Sequence, residues 1–235
     1  MRTARTIECV VLVLVVTSLA GSPAQATVLT FDANLGYAAA IPQDYGDHVV
    51  AATMGDYSYG SEGGWTPNVQ TTYATENVNT TVTYWGDSHN DLTGVANNEY
   101  ADTWSDTGFS LVLTADPGYE VLLYSFDVGN WDYMELSVPI SVTGLAGQVL
   151  YDERIYLPDR TGPHAAVDFS GQPLVSQRLT IHVDIGQLEP SGWYPAAADS
   201  FGLDNIAFGQ VPEPATLALM GLGAAGLLLR RRRSK

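Results

Sequence analysis

Tryptophans set beside acids are the side chains of this sequence best placed to do chemistry. In "ADTWSDTG" Trp104 lies between Asp102 and Asp106, and in "PSGWYP" Trp193 lies among Ser, Gly and Pro. An exposed indole is a flat apolar platform for the face of a sugar ring, and nearby carboxylates accept hydrogen bonds from its hydroxyls. Trp104, Trp193, Asp102 and Asp106 are therefore the candidate carbohydrate-binding residues, with ordinary packing as the alternative for each ring. Trp65 also sits in a loop, whereas Trp85 and Trp131 end strand-like runs and are expected in the core.

Catalysis has thinner support. A glycosidase needs two carboxylates at a defined separation. Asp132 and Glu135 in "NWDYME" are the least arbitrary pair, but an i, i+3 spacing on a strand puts them on opposite faces. His48, His89, His164 and His182 show no metal-binding spacing such as H-E-x-x-H, and His182 falls on the polar face of a strand. The sequence has no G-x-S-x-G, no phosphate-cradling glycine loop and no D-x-[DN]-x-[DN]-G calcium loop. No catalytic residue is assigned and a non-enzyme is expected, with a polysaccharide-modifying hydrolase or lyase as the alternative.

Charge and cysteine content narrow the classes further. Of 26 acids, Glu8 and Glu213 lie outside residues 27–211, leaving 24 against Arg154, Arg160 and Arg178, a net charge of −21 for that segment. Nucleic acid and anionic lipid surfaces need cationic patches, so they are excluded as partners of this body. The N-terminus has a basic start (Arg2, Arg5), an apolar run from Cys9 to Ala20 and a small-x-small site at Ala24-Gln25-Ala26. This is the pattern of a secretory signal peptide cut after Ala26, with an uncleaved anchor as the alternative. Cleavage removes Cys9, the only cysteine, so the remaining chain has no thiol for a disulfide, a zinc site or a nucleophile.

The elements that must position these residues are strands. In "LSVPISVTG" Leu136, Val138, Ile140 and Val142 alternate with polar residues, as do Leu179, Ile181, Val183 and Ile185 in "RLTIHVDIG". Pro139 cannot donate to a ladder, so its strand is expected at an edge or with a local break. Residues 78–85, 110–115 and 119–129 read as further strands, with turns at Pro117-Gly118 and in "TGLAGQVL". The acidic stretch 86–108 is longer than a hairpin needs. No amphipathic helix is evident between 27 and 210, so residues 27–211 are expected to fold as one antiparallel β-sandwich. In "SFGLDNIAFG" the apolar phase slips between Leu203 and Ile206, which predicts a β-bulge at Asp204-Asn205.

The chain ends in "VPEPATLALMGLGAAGLLLRRRRSK". Ala215–Leu229 is at the lower limit of length for a bilayer span, and Arg230, Arg231, Arg232 and Arg233 would hold the terminus in the cytoplasm. Pro212 and Pro214 keep the approach extended, which would leave Glu213 on an accessible stalk. Pro212-Glu213-Pro214, a short apolar helix and a terminal arginine cluster resemble a PEP-CTERM sorting signal over residues 212–235. The resemblance implies processing by an exosortase, a membrane enzyme of bacteria that build extracellular polysaccharide, with a permanent single-span anchor as the alternative. It implies a location in the cell envelope or biofilm matrix, with exopolysaccharide as candidate ligand.

The body resembles other secreted proteins more loosely. "FGLDNIAFGQVPEPA" is similar to the closing strand that many proteins of this sorting class place before the signal. "GLDNI" also resembles the last strand of galactose-binding-like jelly rolls, and "IPQDYGDHV" and "GGWTPNVQTTY" resemble segments of related secreted bacterial proteins. In jelly-roll carbohydrate-binding modules the first and last strands are neighbours and often share a structural calcium. That implies a calcium near Asp32 of "TVLTFDANL" and Asp204, with simple strand-end hydrogen bonding as the alternative.

Overall fold

A computed structural model of the chain describes residues 26–32, 35–60, 65–76, 81–86, 89–98, 108–187 and 201–213. Alternating burial builds its first sheet. Leu136, Val138, Ile140 and Val142 of β10 (Leu136–Thr143) are buried while the residues between them are half-exposed, and β14 (Arg178–Val183) buries Leu179, Ile181 and Val183. With β5 (Val69–Thr75), β8 (Phe109–Ala115) and β11 (Val149–Leu157) they form a five-stranded sheet in the order β11-β10-β14-β8-β5, with antiparallel pairing throughout.

A larger antiparallel sheet is built around the two longest strands, β9 (Tyr119–Asn130) and β15 (Phe201–Pro212). Its path runs β12 (Ala165–Asp168), β9, β15, β7 (Val95–Asn98), β6 (Val82–Trp85), β2 (Ala39–Ala40). β1 (Thr27–Leu29) also pairs with β15, and β13 (Leu174–Ser176) with β9. β3 (Thr53–Met54) and β4 (Tyr57–Ser58) make a separate two-stranded ribbon. Helical structure among the described residues is 3-10 only, at Leu35 and at Ile185–Gln187. Among the described residues no helix is long and apolar enough to cross a membrane, and the apolar run Ala215–Leu229 lies outside them.

Residues from both large sheets share one hydrophobic core. Leu111, Ile140 and Ile181 of the first belong to the same buried cluster as Leu123, Phe126 and Phe208 of the second. Phe109 stacks near Phe201, with ring centroids 6.5 Å apart, across the two sheets. Each such side chain removed from water stabilises the fold by about 1.5–3 kcal/mol. A neighbouring aromatic nest gathers Phe31, Tyr45 and Tyr59, with Tyr45 stacked on Tyr59 at 5.3 Å. The Tyr45 hydroxyl accepts the Phe31 N–H, and the Tyr59 hydroxyl accepts the Gly46 N–H.

Two turns that look alike in sequence do different work. Residues 144–148 close the β10–β11 hairpin, with the Gly144 N–H donating to the Gln148 carbonyl. Asp116-Pro117-Gly118-Tyr119 carries the chain from one large sheet to the other. Gly118 takes φ +91° and the Tyr119 N–H reaches the Asp116 carbonyl at 3.0 Å, a turn with Pro at its second position and a left-handed Gly at its third.

Of the two expectations for Pro139, an edge strand or a local break, the structure shows the break. β10 lies between β11 and β14, but the β14 pairing begins only at Ile140. The Asp184 N–H donates to the Pro139 carbonyl, so the donor that proline lacks faces the side where β14 has just ended.

Candidate functional site

The bulge in β15 is where the sequence places it, and it decides what Asp204 meets. Asp204 pairs with Asp127 and Ala207 with Ser125, so three steps along β15 match two along β9. Asn205 takes φ +48°, a left-handed conformation that Asn tolerates better than most residues. The extra residue lets Phe201, Leu203, Ile206 and Phe208 all point into the core. It also leaves Asp204 on the other face of the sheet, opposite Asp127.

Asp204 is only 3% exposed, and its carboxylate accepts the Asn205 backbone N–H at 2.7 Å. The Asn205 side-chain amide donates to Asp127 Oδ2 at 2.9 Å. His164 Nε2 lies 3.6 Å from the same Asp127 oxygen, and its Nδ1 lies 2.7 Å from Asp91 Oδ1, which also accepts the His164 N–H. Burial pushes the Asp204 carboxyl up to about 8 against the pull of the Asn205 N–H, and the Asp127 charge adds to the rise. The His164 N–H and ring hold Asp91 below its usual value. Burial therefore favours the neutral acid at Asp204, facing Asp127. The glycine pair Gly129 and Gly202 admits the 89–92 segment and the adjoining strand β7 at close range. A Cβ on Gly129 would meet His89 at 2.8 Å, and one on Gly202 would meet Val95 at 2.4 Å.

The adjacency expected of the first and last strands is observed, with Leu29 opposite Ile206. The surroundings described for the two calcium candidates nevertheless differ. Asp32 accepts a hydrogen bond from the Ser58 hydroxyl, whereas Asp204 faces Asp127 and Asn205. Calcium wants six to eight converging oxygens. Among the described residues no three His, Cys, Asp or Glu side chains are placed to hold a metal ion.

A second constellation surrounds the end of β9. Asn130 is completely buried and anchors the loop that follows it. Its Nδ2 donates to the Met134 and Pro158 carbonyls, both at 2.8 Å, and its Oδ1 accepts the Asp132 N–H. Its backbone N–H donates to Asn90 Oδ1, its carbonyl accepts the Asn90 N–H, and Asn90 Nδ2 donates to the Asp159 carbonyl. Three loops are thus tied together beneath Trp131 and Tyr133, which are 41% and 74% exposed. Above them the Arg160 guanidinium lies 4.2 Å from the Tyr133 ring centroid and 5.6 Å from that of Trp131. The exposed Tyr156 hydroxyl is hydrogen-bonded to Glu135, which raises its pKa.

This corrects the core assignment of Trp131: the Asn130 anchors turn the residue after β9 outward instead of continuing the strand. The segment 131–135 is a bent loop, so the opposite-face argument for Asp132 and Glu135 does not apply to it. Trp85 is half-buried and meets the Tyr37 ring edge-on at 5.5 Å, and Trp65 packs against the core. His182 is not simply solvated, because its Nδ1 lies 3.0 Å from the Ser110 hydroxyl. The signal in the sequence was turn chemistry, Gly129-Asn130 immediately before Trp131, together with one of the body's three arginines. Trp104, Trp193, Asp102 and Asp106 lie outside the described residues, as do Ala24, Pro214, Arg230, Arg231, Arg232 and Arg233; Ala26 is the first residue described.

The tail begins without a stalk. Pro212 is the last residue of β15, opposite Tyr119, and the Glu213 N–H donates to the Gly118 carbonyl at 2.9 Å. The Gln177 side-chain amide donates to the Glu213 carboxylate. Pro212 is extended as expected, but its extension is used to lengthen the β-ladder, which holds Glu213 against the body.

Residues 210–233 match the PEP-CTERM protein-sorting motif, which bears out the reading of the tail as an exosortase sorting signal. No curated protein matches the chain. Among solved structures the chain is similar to the arabinose-bound MgGH51 α-L-arabinofuranosidase, at 11% identity and a TM-score of 0.35, over 80% of this chain and 27% of that one. It is also similar to the enzymatically active domain of bacteriophage CBA120 tailspike protein 4, at 16% identity and a TM-score of 0.27, over 61% of this chain and 19% of that one. The chain thus spans under a third of either structure, and likeness this slight carries no argument about activity.

Proposed function

We propose that this chain is a non-catalytic secreted protein that an exosortase-type enzyme delivers to the cell envelope or extracellular matrix. There residues 27–211, a single jelly-roll-like β-sandwich, meet exopolysaccharide. The observation that carries this reading is the sorting motif at 210–233, which starts within the last strand of the body. The address overlaps the last strand by Gln210 to Pro212, so a cut after Pro212 would leave the sheets complete. The shared core of the two large sheets supports the sandwich. In this reading residues 1–26 are a signal peptide, Pro212 to Arg233 hold the address, and the apolar run enters the membrane at least until it is cut.

The alternative is a polysaccharide-modifying hydrolase or lyase, in which Asp204 could not serve as the acid. A general acid must reach the oxygen it protonates, and Asp204 is enclosed. Calcium at Asp32 and Asp204 is a separate proposal, supported by the pairing of β1 with β15 and weakened by the different partners of the two carboxylates. Sugar stacking on Trp104 and Trp193, with Asp102 and Asp106 as acceptors, likewise belongs to this reading.

The test transfers residues 212–235 to the C-terminus of a secreted reporter, expressed in cells with and without an exosortase-type enzyme. The reporter is expected to lose its arginine cluster only where the enzyme is present. Retention of Arg230–Arg233 in both strains would overturn the reading.

A further inference from the structure

We propose that Trp131, Tyr133 and Arg160, with Glu135 and Tyr156 beside them, form a binding platform for a neutral polysaccharide chain. The proposal rests on the exopolysaccharide-facing reading above and gives it a site.

Exposure alone would not carry this, because single exposed aromatics are ordinary. Trp131 and Tyr133 are instead two exposed rings in one short loop, with a third, Tyr156, 56% exposed and linked to Glu135 of that loop. The loop is held from below by an unusual outlay of buried polar groups. Asn130 and Asn90 are nearly or completely buried, and between them they tie β9, the 89–92 segment and the 158–160 segment together. Such a network fixes the backbone under the rings before any ligand arrives, which lowers the ordering cost of binding. Burial of the rings cannot be its purpose, since they remain in water.

Arg160 indicates the kind of ligand. It is one of three cations in a body of net charge −21, yet among the described residues its guanidinium has no carboxylate or carbonyl partner. It lies over the two rings, with donors available to acceptor oxygens. Asp91, Asp132, Glu135 and Asp159 belong to the three joined loops, so with Arg160 the local balance is three negative charges and a polyanion is disfavoured. A ligand with an apolar C–H face for the rings, and hydroxyls that both accept from Arg160 and donate to carboxylates, satisfies all of these groups. A neutral pyranose has that composition.

The experiment is affinity electrophoresis of the purified secreted chain through gels containing dextran, galactomannan or hydroxyethyl cellulose as neutral probes, and alginate or polygalacturonate as anionic ones. Retardation is expected with at least one neutral probe and with neither anionic probe. Trp131→Ala combined with Tyr133→Ala is expected to weaken it tenfold or more, and Arg160→Gln at least threefold. The rings are exposed, so the thermal melt of each variant should match the parent and separates lost binding from lost folding. Absence of retardation by all neutral probes, or preference for an anionic one, would overturn the proposal. Retardation that survives the double variant would overturn this site while leaving sugar binding elsewhere, for example at Trp104 and Trp193. Concentration-dependent dimerisation abolished by the double variant, with no retardation, would assign the rings to a second copy and also overturn it. None of these outcomes affects tail processing, which is read from the C-terminus and fails or stands separately.

Discussion

Replacing Asp204 with Asn tests the electrostatics of the bulge and separates them from metal binding. The carboxyl rises from an ordinary value of 3.8 to about 8, chiefly because it is buried, and Asp127 faces it across the ladder. Between those two values the folded protein keeps the Asp204 proton while the unfolded chain has released it. Stability must therefore fall as pH rises through that window, by up to about 1.4 kcal/mol per pH unit, and no longer changes on this account above the folded value. The ceiling over the whole window is on the order of 5 kcal/mol. Asp204→Asn keeps the side-chain shape and the acceptor for the Asn205 N–H while removing the proton. Urea unfolding from pH 4 to 8.5 should show the variant gaining on the parent as pH rises, by a few kcal/mol at pH 8. Asp91, Asp127 and His164 are present in both proteins, so the comparison isolates the change made at Asp204. A difference that is flat with pH would mean that the Asp204 carboxyl titrates alike in the folded and unfolded chain. A variant that loses stability relative to the parent when calcium is present, and only then, would show that a cation neutralises the pair.

Three further outcomes follow from the same geometry. A structural calcium at Asp32 and Asp204 requires the thermal midpoint to fall on chelation, since calcium at a hundred times its Kd stabilises by about 2.7 kcal/mol; a melt indifferent to chelator ends that reading. Asn130→Ala leaves the Met134 and Pro158 carbonyls and the Asp132 N–H without their partner, so denaturation should show a loss of about 3 kcal/mol, and hydrogen exchange should show Asp132 unprotected. Gln177→Ala releases the Glu213 side chain from the body, so the tail should be removed faster in pulse-labelled cells; slower removal would mean that the docked glutamate helps recognition.

Much of the fold was legible because one-sided burial leaves a period of two, as in Leu136–Val142 and Leu179–Val183, and because an inserted residue must shift that period, as it does between Leu203 and Ile206. The sheet joined by each strand was not legible. Pro117-Gly118 and Leu145-Ala146-Gly147 are both short glycine turns, yet one crosses between sheets and the other closes a hairpin, and that depends on packing remote in sequence. The site was legible only at its ends. Asp204 was identified from the bulge, but its partner Asp127 is 77 positions away along the chain and carries no mark of its own. Trp131 resembles a core aromatic until Asn90, forty residues earlier, is seen holding Asn130. The docking of Glu213 depends in the same way on Gly118 and Gln177, which nothing in the tail itself foretells.

The sorting motif at residues 210–233 is proposed to be an address that a membrane enzyme reads and removes. The most direct test is the intact mass of the protein recovered from the envelope or matrix of its own cells. The mature chain is expected to begin after Ala26 and to end near Pro212 to Pro214, without the apolar run and its arginines. A mass that retains Arg230, Arg231, Arg232 and Arg233 would contradict the account and make the same segment a permanent anchor.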